Sequence, residues 1–404
     1  GGRSGGVSEG GPPRMARMAS GSDFVHLHVH SEYSMLDGAA RVGEMLAEAQ
    51  RLGQTAMAIT DHGYLFGAFD FYSQAKKLGI KPIIGVEAYV TPPGTSRFDQ
   101  TRVRWGGEAH QAADDVSARG AYTHMTLLSR TTQGMHNLFR MGGSLASLDG
   151  QMGKWPRMDR ELLQTYSEGL IATSGCPSSE VQTRLRLGGH YDEAVRAAGE
   201  LQDIFGKENF FVEVMDHGLE IERKTIKDLL RVAETIGAPL VATNDLHYTT
   251  KEDAHAHEVL LAVQSGSTLD EPTYDQGGSR FAFGGDGYYV KSAEEMRRTW
   301  AELPEAVDNT LLIAERCEVE FPTGANYMPR FPVPRGGRTR TRGSSRRSSA
   351  ACTGGTRPAS PPTTCARRRS TRPTSSCSSA SPATSSWSPT SSPGRGSRAS
   401  ASGR

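Results

Sequence analysis

Three histidines alternate with aliphatic residues near the start of the chain, in the run Val25-His26-Leu27-His28-Val29-His30. Alternate side chains of a β-strand point to the same face, so the three imidazoles would form one row. Neutral imidazoles two residues apart on a strand can bind the same metal ion. A polar strand face with surface histidines explains a lone His-x-His pair equally well. The metal interpretation therefore depends on ligand-type residues elsewhere in the chain.

Short apolar runs alternate with amphipathic helical segments, which predicts an α/β fold with parallel strands. The predicted strands are 24–30, 55–60, 82–90, 122–128, 169–174, 210–215 and 239–244. The predicted helices are 41–52, 66–78, 131–141, 159–166, 178–187, 191–205 and 220–236. Seven strands with intervening helices favour a closed (β/α) barrel, with an open doubly wound sheet as the alternative. Both folds place chemistry at the C-terminal ends of their strands.

Residues of metal-binding type follow five of these strands. In chain order they are His28, His30 and Asp37, then Asp61 and His62, then Glu87, then Cys176, then Asp245 and His247. Structural reasons alone predict hydrophilic residues at strand ends, but not chiefly His, Asp, Glu and Cys. The sequence therefore predicts a metal centre at this edge of the sheet.

Four other histidines do not fit this pattern on spacing alone. His124 lies near the start of a predicted strand, which indicates a core or strand-face histidine. His26 is either a partner behind the ligands or an exposed residue. His255 and His257 lie on a predicted helix, where positions i and i+2 diverge by about 200°. Both are therefore expected to face solvent.

The charge of the chain is unevenly distributed over its 404 residues. Residues 335–404 contain fourteen arginines and no Lys, Asp or Glu, whereas the whole chain carries +1. The first 334 residues therefore carry −13, so a DNA groove in the globular part must be local rather than a broad basic face.

The predicted domain organisation has four parts, three of which lie before residue 335. Residues 1–21 are expected to be disordered, 22–250 to form the metal-binding barrel, and 251–334 to connect it to a further domain. Within the connector, Ser292 and Glu295 form a capping-box pattern that predicts the start of a helix. The polar loop 91–121 is either an active-site lid or partly disordered.

The last 70 residues contain no Ile, Leu, Val, Phe, Tyr or Met, so they cannot bury a core. A basic tail that binds nucleic acid is one interpretation. We favour an out-of-frame reading of a G+C-rich coding sequence and assign this segment no function.

Composition also bears on the compartment. No apolar run approaches the roughly 20 residues needed to span a membrane. The five cysteines are too few and too scattered for a disulfide framework. We therefore expect a protein of the reducing cytoplasm.

The ligand-type residues occur within motifs that resemble those of the polymerase-and-histidinol-phosphatase (PHP) domain family. More narrowly, Phe24 to about Pro334 resembles the N-terminal part of bacterial replicative DNA polymerase III alpha subunits. The resemblance covers about three quarters of the chain and rests on these motifs in order: His28-x-His30, Asp37, Asp61-His62-Gly63, Gly85-Val86-Glu87, His124, Ser174-Gly175-Cys176 and Asn244-Asp245-x-His247.

This resemblance implies a distorted seven-stranded (β/α) barrel, similar to a TIM barrel, with up to three divalent metal ions at its C-terminal mouth. It assigns a first ion to His28, His30, Glu87 and Asp245. Glu87 would bridge to a second ion completed by His124 and Cys176. Asp37, His62 and His247 would hold a third. Some relatives lack several of these residues and are thought to be inert scaffolds, whereas all nine positions here can bind metal.

The resemblance also implies a function. The parent family is DNA-directed DNA polymerases, whose catalytic palm is expected beyond this region. For the region present we expect metal-dependent phosphodiester hydrolysis, a 3′→5′ exonuclease acting on the primer–template end, with Asp37, Glu87 and Asp245 as catalytic carboxylates. Mixed N, O and S ligands favour Zn²⁺, with Mn²⁺ or Mg²⁺ as alternatives.

Two alternative functions remain open at this stage. The metals could instead stabilise a structural module that docks a separate proofreading exonuclease. A small-molecule phosphatase would use the same metals, although it has little need of the segment 251–334. The expected partners of the full-length parent are DNA, the sliding clamp and the proofreading exonuclease subunit, with no membrane association.

Overall fold

The computed structural model describes residues 23–103, 120–186, 190–273 and 276–324. The strands are β1 (Ala56–Ile59), β2 (Lys81–Val90), β3 (Thr123–Ser129), β4 (Gln151–Met152), β5 (Trp155–Met158), β6 (Leu170–Thr173), β7 (Phe210–Val214) and β8 (Leu240–Ala242). The helices are α1 (Val42–Arg51), α2 (Ala68–Leu78), α3 (Thr132–Arg140), α4 (Ser147–Asp149), α5 (Arg160–Tyr166), α6 (Glu180–Arg186), α7 (Tyr191–Phe205), α8 (Glu220–Ile236), α9 (Ala254–Ser265), α10 (Ala293–Thr299) and α11 (Pro304–Arg316).

Some predicted segments cannot be compared with the structure. Residues 1–21, residues 335–404 and the central part of the loop 91–121 lie outside the described residues. Within the described ranges, no helix is both long enough and apolar enough to cross a membrane.

Residues 24–30, here called the histidine segment, join the two ends of the sheet. On one side the amides of Ala58 and Thr60 donate to the carbonyls of His26 and Val29, at 2.9 and 2.8 Å. On the other side, the His30 amide donates to the Leu246 carbonyl at 2.7 Å, and the Leu246 amide donates to the His28 carbonyl at 3.1 Å. The ring order is therefore histidine segment, β1, β2, β3, β6, β7, β8. This confirms the predicted seven-stranded α/β barrel.

One strand of the ring runs against the others. β3 pairs antiparallel with both β2 and β6, whereas β1–β2, β6–β7 and β7–β8 are parallel pairs. The prediction of an all-parallel sheet was therefore wrong for β3. Because of this reversal, the first residues of β3 lie at the same end of the barrel as the last residues of its neighbours. In the register, His124 is paired with Tyr89 near the end of β2.

The interior of the barrel is layered along its axis. The bottom layer is apolar and consists of Ile83, Leu128, Ile171, Phe211 and Val241, all buried in one cluster. Two residues closer to the open end on each strand, the same interior face carries Thr126, Thr173, Glu213 and Thr243, which are all buried. The polar layer therefore separates an apolar floor from the open end, as the two-residue period of a strand requires.

The helices surround the ring with their apolar faces turned inward. α1 illustrates the spacing, since Val42, Met45, Leu46 and Ala49 are buried against the sheet side. The predicted helices within the described residues are confirmed. The β4–β5 hairpin was not predicted. Its strand β5 pairs in parallel with Tyr89 and Val90 of β2, outside the ring.

The segment after the barrel packs against it. Ile313, Ala314 and Cys317 of α11 and its C-terminal end join the apolar floor of the barrel. Met296 and Trp300 pack with Phe24 in a neighbouring cluster. The predicted capping box is present, since the Ser292 hydroxyl accepts from the Glu295 amide at 3.2 Å. Residues 23–323 of the described chain accordingly belong to one compact unit.

Candidate metal centre

The structure brings all nine predicted ligands together at the open end of the barrel. Glu87, in β2, lies at the centre and is only 1% exposed. Its Oε1 atom faces His28 Nε2 at 3.3 Å, His124 Nδ1 at 2.9 Å and Cys176 Sγ at 3.1 Å. Its Oε2 atom faces His30 Nε2 at 3.4 Å and His62 Nδ1 at 2.7 Å. One carboxylate therefore faces five other ligand-type residues, which is the geometry of a bridging ligand.

The inner group, defined as His28, His30, Glu87 and Asp245, lies on the strand ends themselves. Asp245 Oδ1 is 3.3 Å from the Nε2 atoms of both histidines. Among the described residues, Asp245 is the only non-glycine with a positive φ, at 42°. Such backbone conformations are uncommon outside glycine and concentrate at functional sites.

His124 and Cys176 form a second group with Glu87. The distance between His124 Nδ1 and Cys176 Sγ is 3.5 Å. His124 reaches this position because β3 runs antiparallel, so a residue near a strand start lies at the end where the other strands finish. The expectation that His124 is a core or strand-face histidine was therefore wrong, and strand direction is the physical reason.

The outer group, defined as Asp37, His62 and His247, lies on loops. Asp37 Oδ2 is 3.0 Å from His62 Nε2. The rings of His30 and His247 are stacked with centroids 4.3 Å apart, which joins the outer group to the inner one. Asp37 and His62 retain 13% and 15% side-chain exposure, similar to the 16% of Asp245 in the inner group.

Hydrogen bonds on the far side of the rings fix which nitrogen faces the centre. His28 Nδ1 lies 2.8 Å from Glu213 Oε1, and His30 Nδ1 lies 3.0 Å from the Ser34 hydroxyl. His247 Nδ1 lies 2.7 Å from the carbonyl of Asp245. Each of these rings therefore presents Nε2 to the cluster. Such partners orient metal-binding histidines and set their tautomer.

Glu213 is the main site residue that sequence analysis missed. It is fully buried in β7 and faces His28. It also accepts hydrogen bonds from the hydroxyls of three threonines on neighbouring strands, Thr126, Thr173 and Thr243. The sequence signal for Glu213 is its position as the single acidic residue in the apolar run Phe210-Phe211-Val212-Glu213-Val214. Buried carboxylates require such compensation, so their presence in a strand indicates a specific partner.

Two other histidines are placed differently from expectation. His257 is only 3% exposed, and its Nε2 donates to the carbonyl of Asp37 at 2.7 Å, so the prediction that it faces solvent was wrong. His255, two residues earlier on α9, is exposed as expected. The divergence of positions i and i+2 turned one ring outward and the other against the centre. His26 is buried and contacts the carbonyl of Lys291 at 2.9 Å, outside the cluster.

Burial and neighbouring charges shift the pKa values of the residues in the centre in different directions. Burial, followed by His62 and His247, lowers the pKa of His30 to about 3. Burial alone would raise the pKa of Glu87, but His124, His28 and His62 outweigh it and hold that pKa well below its usual range. Burial, with Glu87 and Asp245, raises the pKa of the Cys176 thiol. Strongly perturbed pKa values concentrate at functional sites.

The residues present fit divalent cations. Several buried ligand atoms have no hydrogen-bond partner among the described residues: His28 Nε2, His30 Nε2, His62 Nδ1, His247 Nε2, Asp37 Oδ1 and Asp245 Oδ1. Unpartnered buried polar atoms are costly, and native proteins contain few of them. Three sets have ligand atoms within 4.8 Å of one another: His28, His30 and Glu87; His62, Glu87 and His124; and His30, His62 and His247. Imidazole, carboxylate and thiol groups together suit transition-metal ions.

Comparison with known proteins shows which families the chain is similar to. Residues 26–217 match the model of the PHP domain family. The chain is 58% identical over 302 residues to a DNA polymerase III subunit alpha from Saccharopolyspora erythraea, which covers 73% of this chain and 24% of that protein. Identity to the Mycobacterium tuberculosis protein of the same name is 53% over 325 residues, covering 80% and 26%. For the Thermus aquaticus protein it is 43% over 330 residues, covering 79% and 25%.

Solved structures give a more distant match. An amidohydrolase from Chromobacterium violaceum aligns with 55% of this chain and 87% of its own, at a TM-score of 0.34 and 15% identity. The chain spans about a quarter of the length of the curated relatives named above. The alignments with these relatives cover 73–80% of this chain. They therefore extend beyond the barrel into the segment that packs against it. Residues 26–217 therefore form a PHP domain, and the chain is similar over 73–80% of its length to part of bacterial DNA polymerase III alpha subunits.

Proposed function

We propose that the metal centre hydrolyses phosphodiester bonds and removes nucleotides from the 3′ end of a DNA primer. The observation that carries this proposal is the convergence of unpartnered imidazole and carboxylate atoms on Glu87 at the open end of the barrel. The similarity to proteins named DNA polymerase III subunit alpha supports DNA as the substrate. The primer–template, a sliding clamp and a separate proofreading exonuclease subunit are the proposed partners.

Nine residues would hold the metal ions in the three sets implied by the resemblance. His28, His30, Glu87 and Asp245 form the first set; Glu87, His124 and Cys176 the second; Asp37, His62 and His247 the third. Bound divalent ions would lower the pKa of a coordinated water and neutralise charge on the phosphate oxygens. Zn²⁺ is favoured by the presence of one thiol among imidazoles and carboxylates.

The side chains of the chain itself would orient the reactants. Asp37 is partly exposed, and its Oδ1 atom has no partner among the described residues. It is therefore placed to accept a hydrogen bond from the attacking water at the rim. Burial would raise the pKa of Asp37, but His62, His247 and His30 outweigh it and hold that pKa below its usual range. The carboxylate is consequently ionised at neutral pH, as an acceptor must be.

A primer-shortening assay tests this proposal. The full chain, loaded with Zn²⁺ or Mn²⁺, is incubated with a primer–template that carries a 3′ mismatch, with and without chelator. We expect metal-dependent shortening from the 3′ end that Asp37→Asn reduces by about 100-fold or more, the typical cost of removing a group that activates the nucleophile. Asp228→Asn is the matched control, because Asp228 is exposed on α8 and its ion pair among the described residues is with Arg231.

The outcome separates the proposed nuclease from the structural alternative. A wild-type chain that binds its metals stoichiometrically and never shortens the primer would make the centre a structural one. Equal loss of activity in Asp37→Asn and Asp228→Asn would show that the assay reports general stability rather than chemistry at the centre.

A further inference from the structure

The aromatic ring of Tyr89 is fixed in the wall of the metal centre. It lies stacked beside the His62 ring, with centroids 5.9 Å apart and planes at 15°. The rings of Tyr122 and His124 contact it edge-on, at 4.6 and 5.3 Å. Gly63 closes the remaining side: with φ at 65°, a Cβ there would lie 2.7 Å from Tyr89 Cε2. The ring therefore has little freedom, and its hydroxyl has a defined position.

That position faces the centre from its open side. Tyr89 follows Glu87 by two residues on β2, so both side chains lie on the interior face, about 7 Å apart along the strand. Because β2 runs towards the open end, Tyr89 is the next interior side chain above the bridging carboxylate. The Tyr89 phenol lies within electrostatic range of Asp37 and Glu87.

The hydroxyl of Tyr89 makes no hydrogen bond to any described residue, although the side chain is more than nine-tenths buried. The hydroxyl oxygen itself is not among the fully buried unpartnered atoms of the described residues, so it retains contact with solvent. The hydroxyl of Tyr191, by contrast, lies 2.9 Å from the Thr235 hydroxyl between two outer helices. The Tyr89 hydroxyl is therefore available to contact a ligand that enters from solvent.

We propose that the Tyr89 hydroxyl donates a hydrogen bond to a non-bridging oxygen of a phosphate group bound at the metal centre. This inference rests on the proposed function, since it names the group of the substrate that the residue contacts. A phenol is a neutral hydrogen-bond donor at pH 7. It can contact an anionic oxygen without placing a second cation beside the metal ions. The fixed ring means that little side-chain entropy is lost on binding.

Phosphate binding to the full chain tests the inference without any turnover. Inorganic phosphate is titrated calorimetrically into the Zn²⁺-loaded wild type, Tyr89→Phe and Tyr191→Phe, and zinc content is measured in each. We expect Tyr89→Phe to raise the Kd for phosphate by roughly 10-fold or more, the effect of one hydrogen bond to a charged group, with unchanged zinc content. Tyr191→Phe should match the wild type in both measurements.

Each alternative outcome is decisive. Equal phosphate affinity in Tyr89→Phe and wild type overturns the inference, as does a wild type that binds no phosphate. A loss of zinc in Tyr89→Phe would make the residue a structural support of His62 rather than a ligand of phosphate. A Tyr89-dependent Kd in a protein that never shortens a primer would refute the nuclease proposal and leave this inference intact.

Discussion

The inner and outer groups of the metal centre use the same residue types but are supported in different ways. In the inner group, His28 is backed by a side-chain network on four strands, in which Glu213 joins it to three threonine hydroxyls. The outer group lies on loops. His247 is contacted by Phe283, and Asp37 is held through its backbone by His257; both supporting residues come from the segment after the barrel.

This difference indicates a division of roles. Ligands held on strands by a closed network keep their geometry when empty, whereas ligands on loops depend on packing from other segments. We therefore expect the inner group to bind metal tightly and to stabilise the barrel. The outer group should exchange its metal more readily.

Removal of the metals should produce the largest effect. Ligands that bind only the folded state stabilise it by about 4 kcal/mol at a thousandfold excess over Kd. We therefore expect a chelator to lower the Tm of the full chain by roughly 10 °C, using a shift of 2–4 °C per kcal/mol for a unit of this size. Asp37→Asn, in the outer group, should retain most of this shift in a thermal melt. An equal loss of the shift in Asp37→Asn would remove the distinction between the two groups.

Glu213→Gln should weaken the inner group specifically. The amide cannot accept from all three threonines and face His28 as a carboxylate does, so the His28 ring loses its orientation. Changes of this kind typically cost about 10- to 100-fold in metal affinity. Competition with a chromophoric chelator would measure the tightest site, with Glu220→Gln as the matched control, because Glu220 is exposed on α8. An unchanged affinity would show that the Glu213 network serves packing alone.

His257→Leu should give the smallest effect, confined to the outer group. The substitution removes the hydrogen bond to the Asp37 carbonyl and keeps an apolar side chain against Phe283. One neutral hydrogen bond is worth about 1 kcal/mol, so a several-fold loss of the weakest-bound metal is expected. His255→Leu is the matched control, two residues away on the same helix and exposed to solvent. Metal content after stepwise dialysis is the measurement; equal losses in both variants would contradict the assigned contact.

Much of the fold follows from local sequence patterns. The seven strands of the ring, including the histidine segment, were predicted from short apolar runs, because alternation and length report directly on a pleated strand. The structure also brings together all nine residues singled out at strand ends or by family resemblance. Residues at the C-terminal ends of parallel neighbours share one rim, so local order was sufficient to place Glu87 beside His28 and Asp245.

Other features depended on contacts that the sequence does not encode locally. His124 reaches the centre only because β3 runs antiparallel, and strand direction is decided by pairing with β2 and β6. Glu213 acquires its role from threonines on three different strands, and His257 from a helix beyond the barrel. The sequence alone determined the strands and the ligand types, since these reflect short-range periodicity. The tertiary structure decided which side chains support those ligands, because such partners are set by long-range packing.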